Sequence, residues 1–204
     1  MSNKINNPYS FTEADSSLIK ANFTKHEDWD KSVFNTLRGD IRDSLRPEQS
    51  NKCCYCKKEL GHDIKEVDIE HIIPKATYPK FTFEPKNLAL SCPACNTIKG
   101  DKPVLSKKIV RHPEHSNNHT IVHAHYDEYN KHILIHDGCV FEPISKKGSH
   151  TITVCELFRL KVVEKKAKAA MAEVSEESKL VSLIMNASQS ELTDAMTELM
   201  KRIK

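Results

Sequence analysis

Two Cys-x-x-Cys pairs, Cys53/Cys56 and Cys92/Cys95, bracket the stretch DIEHIIPK at residues 68–75. Four thiolates in two such pairs can surround a zinc ion tetrahedrally, as in a closed structural site. A simple zinc ribbon separates its pairs by about 15–20 residues, whereas 35 residues lie between Cys56 and Cys92. That longer insert contains the polar dipeptide Glu70–His71. A carboxylate beside a neutral imidazole can divide phosphodiester chemistry: the acid holds a divalent metal and the imidazole takes a proton from water. Asn96, directly after Cys95, offers a neutral oxygen suited to a hard ion such as Mg²⁺. Asn87 can tie the intervening loop to backbone groups.

These groups need elements to place them. Val67 and Ile69 alternate with Asp68 and Glu70, which predicts a strand, and Leu88–Ser91 predicts its partner. Pro93 suits the first turn of a helix that Gly100 and Pro103 stop. Strand alternation sends Glu70 and His71 to opposite faces, so convergence on one site demands a bend or bulge at His71. Pro74 limits how far regular pairing can continue.

At this point the residues resemble the HNH endonucleases, in the subgroup with a four-cysteine zinc. C-x-x-C, E-H-x-x-P, N-L and C-x-x-C-N-x-x-K-G occur in that order over about residues 51–103. The resemblance implies an α+β fold centred on a ββα-metal module. It assigns His71 as general base, Glu70 and Asn96 as ligands of one catalytic Mg or Mn ion, and Asn87 as the loop-orienting residue. Cys53, Cys56, Cys92 and Cys95 would hold structural zinc, and Lys75, Lys99 and Lys102 would contact phosphates. In this reading the substrate is DNA. RNA such as tRNA, or a non-catalytic zinc-stabilised binding or interaction subunit, are the alternatives. The flanks are similar to small defence-associated HNH proteins of the PtuB type, from Septu and some retron anti-phage systems, which implies a PtuA-like ATPase partner.

The remaining sequence supplies bounds. Of 204 residues, 38% are apolar and 29% charged, and the net charge is +3. The opening MSNKINNPYSFTEADSS lacks an apolar run, and the chain has no stretch long enough to span a membrane. A cytoplasmic protein is expected, in which seven cysteines favour metal over disulfides. Cys54, Cys139 and Cys155 read as small apolar side chains. Lys75, Lys80, Lys86, Lys99, Lys102, Lys107 and Lys108 face only Glu84 and Asp101 in the same stretch, a local basic excess on the cysteine region.

Four segments follow. Residues 1–50 are a loose arm and a helical lead-in, with Trp29, Val33, Phe34, Leu37, Ile41 and Leu45 at helical spacing. Gly39 threatens that helix and Pro47 is its expected end. Residues 51–103 are the nuclease module. Residues 104–150 carry a hairpin, with Val122, Ala124 and Tyr126 on one strand, Ile133 and Ile135 on the other, and a turn near Asp127–Lys131. Residues 151–204 are helical, with a break at Ser175, a capping box at Ser188/Glu191, and an apolar stripe from Leu192 to Ile203 that packs on the core. Seven histidines lie between His112 and His136. The hairpin register makes them a polar strand face, with a cross-strand second metal site as the lesser alternative.

Overall fold

The computed structural model describes residues 4–136, 138, 140–159 and 200–202. Two units separate, Met1–Phe158 and Arg159–Lys204, and the cysteine pairs and both sheets lie in the first. The expected break at Ser175, the Ser188/Glu191 capping box and Cys139 lie outside the described residues. So does the C-terminal stripe, apart from Met200, which is exposed in a helical turn.

Helix α1 (Glu13–Asn22) starts at a capping box, in which Thr12 and Asp15 bond each other's backbone amides. Short 3-10 turns at His26–Asp30 and Ser32–Phe34 lead into α2 (Asn35–Glu48). Leu37, Ile41 and Leu45 recur every fourth residue and bury one stripe of α2 against the sheet of β1 (Asp68–His71) and β2 (Leu88–Ser91). Val33 sits in the preceding turn and is exposed, unlike the rest of its predicted stripe. Gly39 is accommodated inside α2, and Pro47 occupies its last turn. The expected loose arm is docked. Ile5 is buried and donates its amide to the Ala124 carbonyl at 2.8 Å, while Glu48 accepts from the amides of Asn6 and Asn7.

β1 and β2 pair antiparallel as Asp68↔Ser91, Ile69↔Leu90, Glu70↔Ala89 and His71↔Leu88. Helix α3 (Pro93–Lys99) packs against β1, with Pro93 in its first turn and Gly100, at φ 47°, ending it. The expected strand, loop, strand and helix are all present in that order.

The hairpin lies further along than expected. Its strands are β3 (Ile133–His136) and β4 (Val140–Pro143), and the segment around Val122–Tyr126 is turns. Asp127 is the cause. Its carboxylate accepts the His123 amide at 2.8 Å, and its own amide reaches the His123 carbonyl at 3.0 Å, closing the backbone on itself. Thr151 satisfies the buried Val122 amide in place of a strand partner.

Helix α4 (Lys146–Val154) begins before the expected position, capped by Ser145 on the Gly148 amide. A Cβ at Gly148 would overlap the His132 carbonyl, so only glycine lets α4 approach β3 this closely. Gly148→Ala is expected to destabilise the protein by about 2–4 kcal/mol. Gly39→Ala, with open space at its Cβ in a helix interior, should stabilise it by about 0.5–1 kcal/mol. Urea unfolding of both variants checks the contrast.

Candidate active site and metal centre

The knuckle at residues 53–58 is closed by the Cys53 amide on the Lys58 carbonyl and the Lys57 amide on the Cys53 carbonyl. Lys57 takes φ 55° to make the turn. Cys54 donates its amide to Leu90 in β2, which seats the knuckle on the sheet. Cys92 caps α3 and Cys95 lies in its first turn. The four sulfurs of Cys53, Cys56, Cys92 and Cys95 consequently all lie within 4.8 Å of one another, and the cluster can hold a metal ion. Cys54 and Cys155 are buried outside it, as small apolar groups would be.

Strand β1 stays regular through His71; the expected bend is absent. Glu70 accepts from Tyr55 Oη at 3.1 Å and from Lys99 Nζ at 2.5 Å, and both members of the Glu70–Lys99 pair are almost wholly buried. Burial pushes the Glu70 carboxyl up, and Lys99 opposes that shift. Lys99 also donates to the His71 carbonyl at 2.7 Å. A cation so enclosed cannot reach a phosphate. The expected phosphate contact at Lys99 is therefore corrected: the side chain neutralises Glu70 and braces the strand.

His71 occupies a different environment. Its ring packs edge-on to Trp29, with centroids 4.6 Å apart, and Nε2 lies 3.1 Å from the Thr82 carbonyl. A carbonyl only accepts, so Nε2 carries the proton and Nδ1 keeps the lone pair. Burial first, then the charges of Lys75 and Lys99, lower its pKa to about 3. The imidazole is thus neutral near neutral pH, with its lone pair at Nδ1. It lines a cleft of about 430 Å³ with Trp29, Arg38, Arg42, Asp68, Lys75 and Asn96.

Asn96 donates to Asp68 at 2.9 Å, so α3 sets Asn96 on Asp68 and Lys99 on Glu70, three residues apart on the helix and two on the strand. Glu70 and Asn96, expected to share a metal, each have a different partner in the structure. Glu70 Oε2 is nevertheless buried without a hydrogen-bond partner among the described residues. Glu70 shares a strand face with Asp68, to which Asn96 is bonded, and carboxylate and amide oxygens together make an all-oxygen set, which fits a hard divalent cation.

Asn87 is fully buried and ties the loop between the strands. It accepts the Ile73 amide at 2.7 Å and donates to the Ile73 and Phe81 carbonyls, both at 3.0 Å. Lys75 lies 3.7 Å from Asp30 at the cleft. Lys102 is turned to the Val154 carbonyl and Glu156. The sequence reading missed Arg38 and Arg42. Their one signal is a basic pair four residues apart on the polar side of α2, and nothing local to them indicates that this side faces His71.

The HNH endonuclease family is matched over residues 53–102, so the cysteine pairs, both strands and α3 form an HNH domain. The Septu protein PtuB of Bacillus thuringiensis is 32% identical over 120 residues, 59% of this chain and 42% of the relative. A retron Vc95 protein of Vibrio cholerae serotype O1 biovar El Tor, named as a candidate HNH endonuclease, is 33% identical over 79 residues, 37% of this chain and 35% of the relative. The chain thus spans well under half the length of each. No helix among the described residues is long and apolar enough to cross a membrane.

Two outcomes are expected from this geometry. Lys99→Met, which strands the Glu70 charge in the interior, should cost about 3–5 kcal/mol in chemical unfolding, and Glu70→Gln in the same chain should restore part of it. Because the His71 pKa is depressed in the folded protein, the stability linked to it is complete above about pH 6.5. It is lost as pH falls towards 3, where the folded ring finally protonates. Ring-resolved NMR titration should find His71 neutral at pH 5; a midpoint near 6.5 would refute its desolvated setting.

Proposed function

From the HNH domain at residues 53–102, we propose that the protein is a metal-dependent endonuclease that hydrolyses phosphodiester bonds of DNA. The observation that carries this reading is His71. Its Nε2 lies on the Thr82 carbonyl, which leaves Nδ1 with the lone pair, and the residue lines a cleft with Arg38, Arg42 and Lys75. His71 takes the proton of the attacking water at Nδ1. Arg38, Arg42 and Lys75 position the phosphates on either side, which gives affinity without sequence information. Asp68 and Asn96 line the cleft with His71 and would hold one Mg²⁺ or Mn²⁺ ion, which when bound supplies positive charge to the scissile phosphate and the leaving 3′-oxygen. Glu70 would join them through its orphaned oxygen after a bend of β1 that the regular strand does not show. The products are 5′-phosphate and 3′-hydroxyl ends. Cys53, Cys56, Cys92 and Cys95 would hold zinc, which when bound would keep α3, and with it Asn96, in place. Because the cleft meets the phosphate, RNA is the substrate that the assay must separate from DNA.

Similarity to the Septu protein PtuB supports a role as the nuclease of an anti-phage complex with a PtuA-like ATPase. Plasmid DNA and total RNA, incubated with Mg²⁺ or Mn²⁺ and the wild-type protein, alone and with such an ATPase, test the reading. DNA cutting that His71→Ala lowers by at least about 10²-fold is expected, with the variant's fold checked by circular dichroism. Equal cutting by both proteins would exclude His71 as the base. Arg38→Ala/Arg42→Ala should weaken DNA binding and flatten its salt dependence.

A further inference from the structure

The histidine-rich segment forms no polar strand face. His112, His119 and His123 bring ring nitrogens to one point, all within 4.8 Å of one another. The His119 and His123 rings are 4.2 Å apart at their centroids, and His112 lies 6.3 and 6.4 Å from them. His119 and His123 are buried and His112 is half-buried. Among the described residues, His112 Nε2, both ring nitrogens of His119 and His123 Nε2 are buried without a hydrogen-bond partner.

Four orphaned nitrogens in one place contradict the rule that buried polar groups are satisfied. Neutral imidazoles crowded together cannot repair this among themselves as these three stand. A metal ion accepts a lone pair from each ring at once. We propose that His112, His119 and His123 form a second metal site that takes a divalent zinc ion through three imidazole nitrogens. The H-x-x-x-H spacing of His119 and His123 falls within the range used by zinc-binding histidine pairs, and three neutral nitrogen donors suit zinc rather than magnesium.

His123 Nδ1 accepts the His125 amide at 3.2 Å, which places the ring proton on Nε2 in the metal-free form. Coordination at Nε2 moves that proton to Nδ1 and gives up one long hydrogen bond.

The site has a mechanical consequence. The His112 ring packs on Phe81 at 5.3 Å, and Phe81 directly precedes Thr82, whose carbonyl orients His71. Beyond the same turn, His125 Nε2 lies 2.8 Å from the Leu88 carbonyl in β2. The ion would thus staple an irregular stretch onto the loop and strand that position His71.

Full-length protein, purified without chelator and dialysed against excess Mg²⁺, is the material for the test. Elemental analysis should find one zinc ion per chain more in the wild type than in His119→Gln/His123→Gln. Equal zinc in the two would overturn the proposal. As a variant that keeps a ligand and so spares the fold, His119→Cys loaded with Co²⁺ should gain thiolate-to-cobalt absorption over the cobalt-loaded wild type. No gain, with circular dichroism showing folded protein, would overturn the proposal equally.

Discussion

Everything near His71 depends on bringing four sulfur atoms within 4.8 Å of one another. The sheet between them has two strands of four residues each, too little to be stable alone. The cysteines join the knuckle before β1 to the helix after β2, so the intervening chain is held at both ends. Cys54 adds a backbone bond to β2, and α2 covers the sheet with Leu37, Ile41 and Leu45. Once α3 is fixed at Cys92 and Cys95, the next residues inward, Asn96 and Lys99, have nowhere to go but β1.

Strand alternation then becomes useful rather than troublesome. A regular β1 gives Glu70 and His71 different neighbours: an ammonium and a phenol for the acid, an indole and a carbonyl for the imidazole. Ala89, across from Glu70, is small enough to leave room for the buried ion pair. Lys99 links the two environments by donating to the His71 carbonyl as well as to Glu70. Such a pair contributes little net stability against an apolar core, because desolvating both charges costs nearly what their attraction returns. What it does supply is a fixed relation between the acid, the strand and the helix.

The module was legible because its signals are local. Cysteine spacing marked the cluster, alternation marked β1, and Pro93 with Gly100 marked α3. The misplacements came from long-range contacts. Val122, Ala124 and Tyr126 alternate as in a strand, but Asp127 offers the backbone a nearer partner, and Tyr126 packs on His119 and His123 instead. The N-terminal arm has no periodicity, yet Ile5 is buried by a contact with Ala124, more than a hundred residues away in sequence. Lys99 looked like a surface cation because lysine usually is one; only the placement of Glu70 shows otherwise. Arg38 and Arg42 escaped for the same reason, since the face that α2 turns to the cleft is set by docking.

The residues between α3 and β3 contain only isolated turns and a bridge, yet they cover the loop that orients His71. Irregular backbone can be rigid only if side chains replace the ladder of hydrogen bonds it lacks. Some replacements are plain: Asp127 closes its turn, and Lys147 donates to that carboxylate at 3.0 Å. At His112, His119 and His123 the replacement is missing from the protein's own atoms, although His112 is the ring that packs on Phe81. A metal ion in the cysteine cluster would compensate for a sheet too small to stand alone. A second, at the histidines, would do the same for a segment with no sheet at all. Two ions would then fix His71 from opposite sides, one through α3 and Lys99, the other through Phe81 and the Thr82 carbonyl.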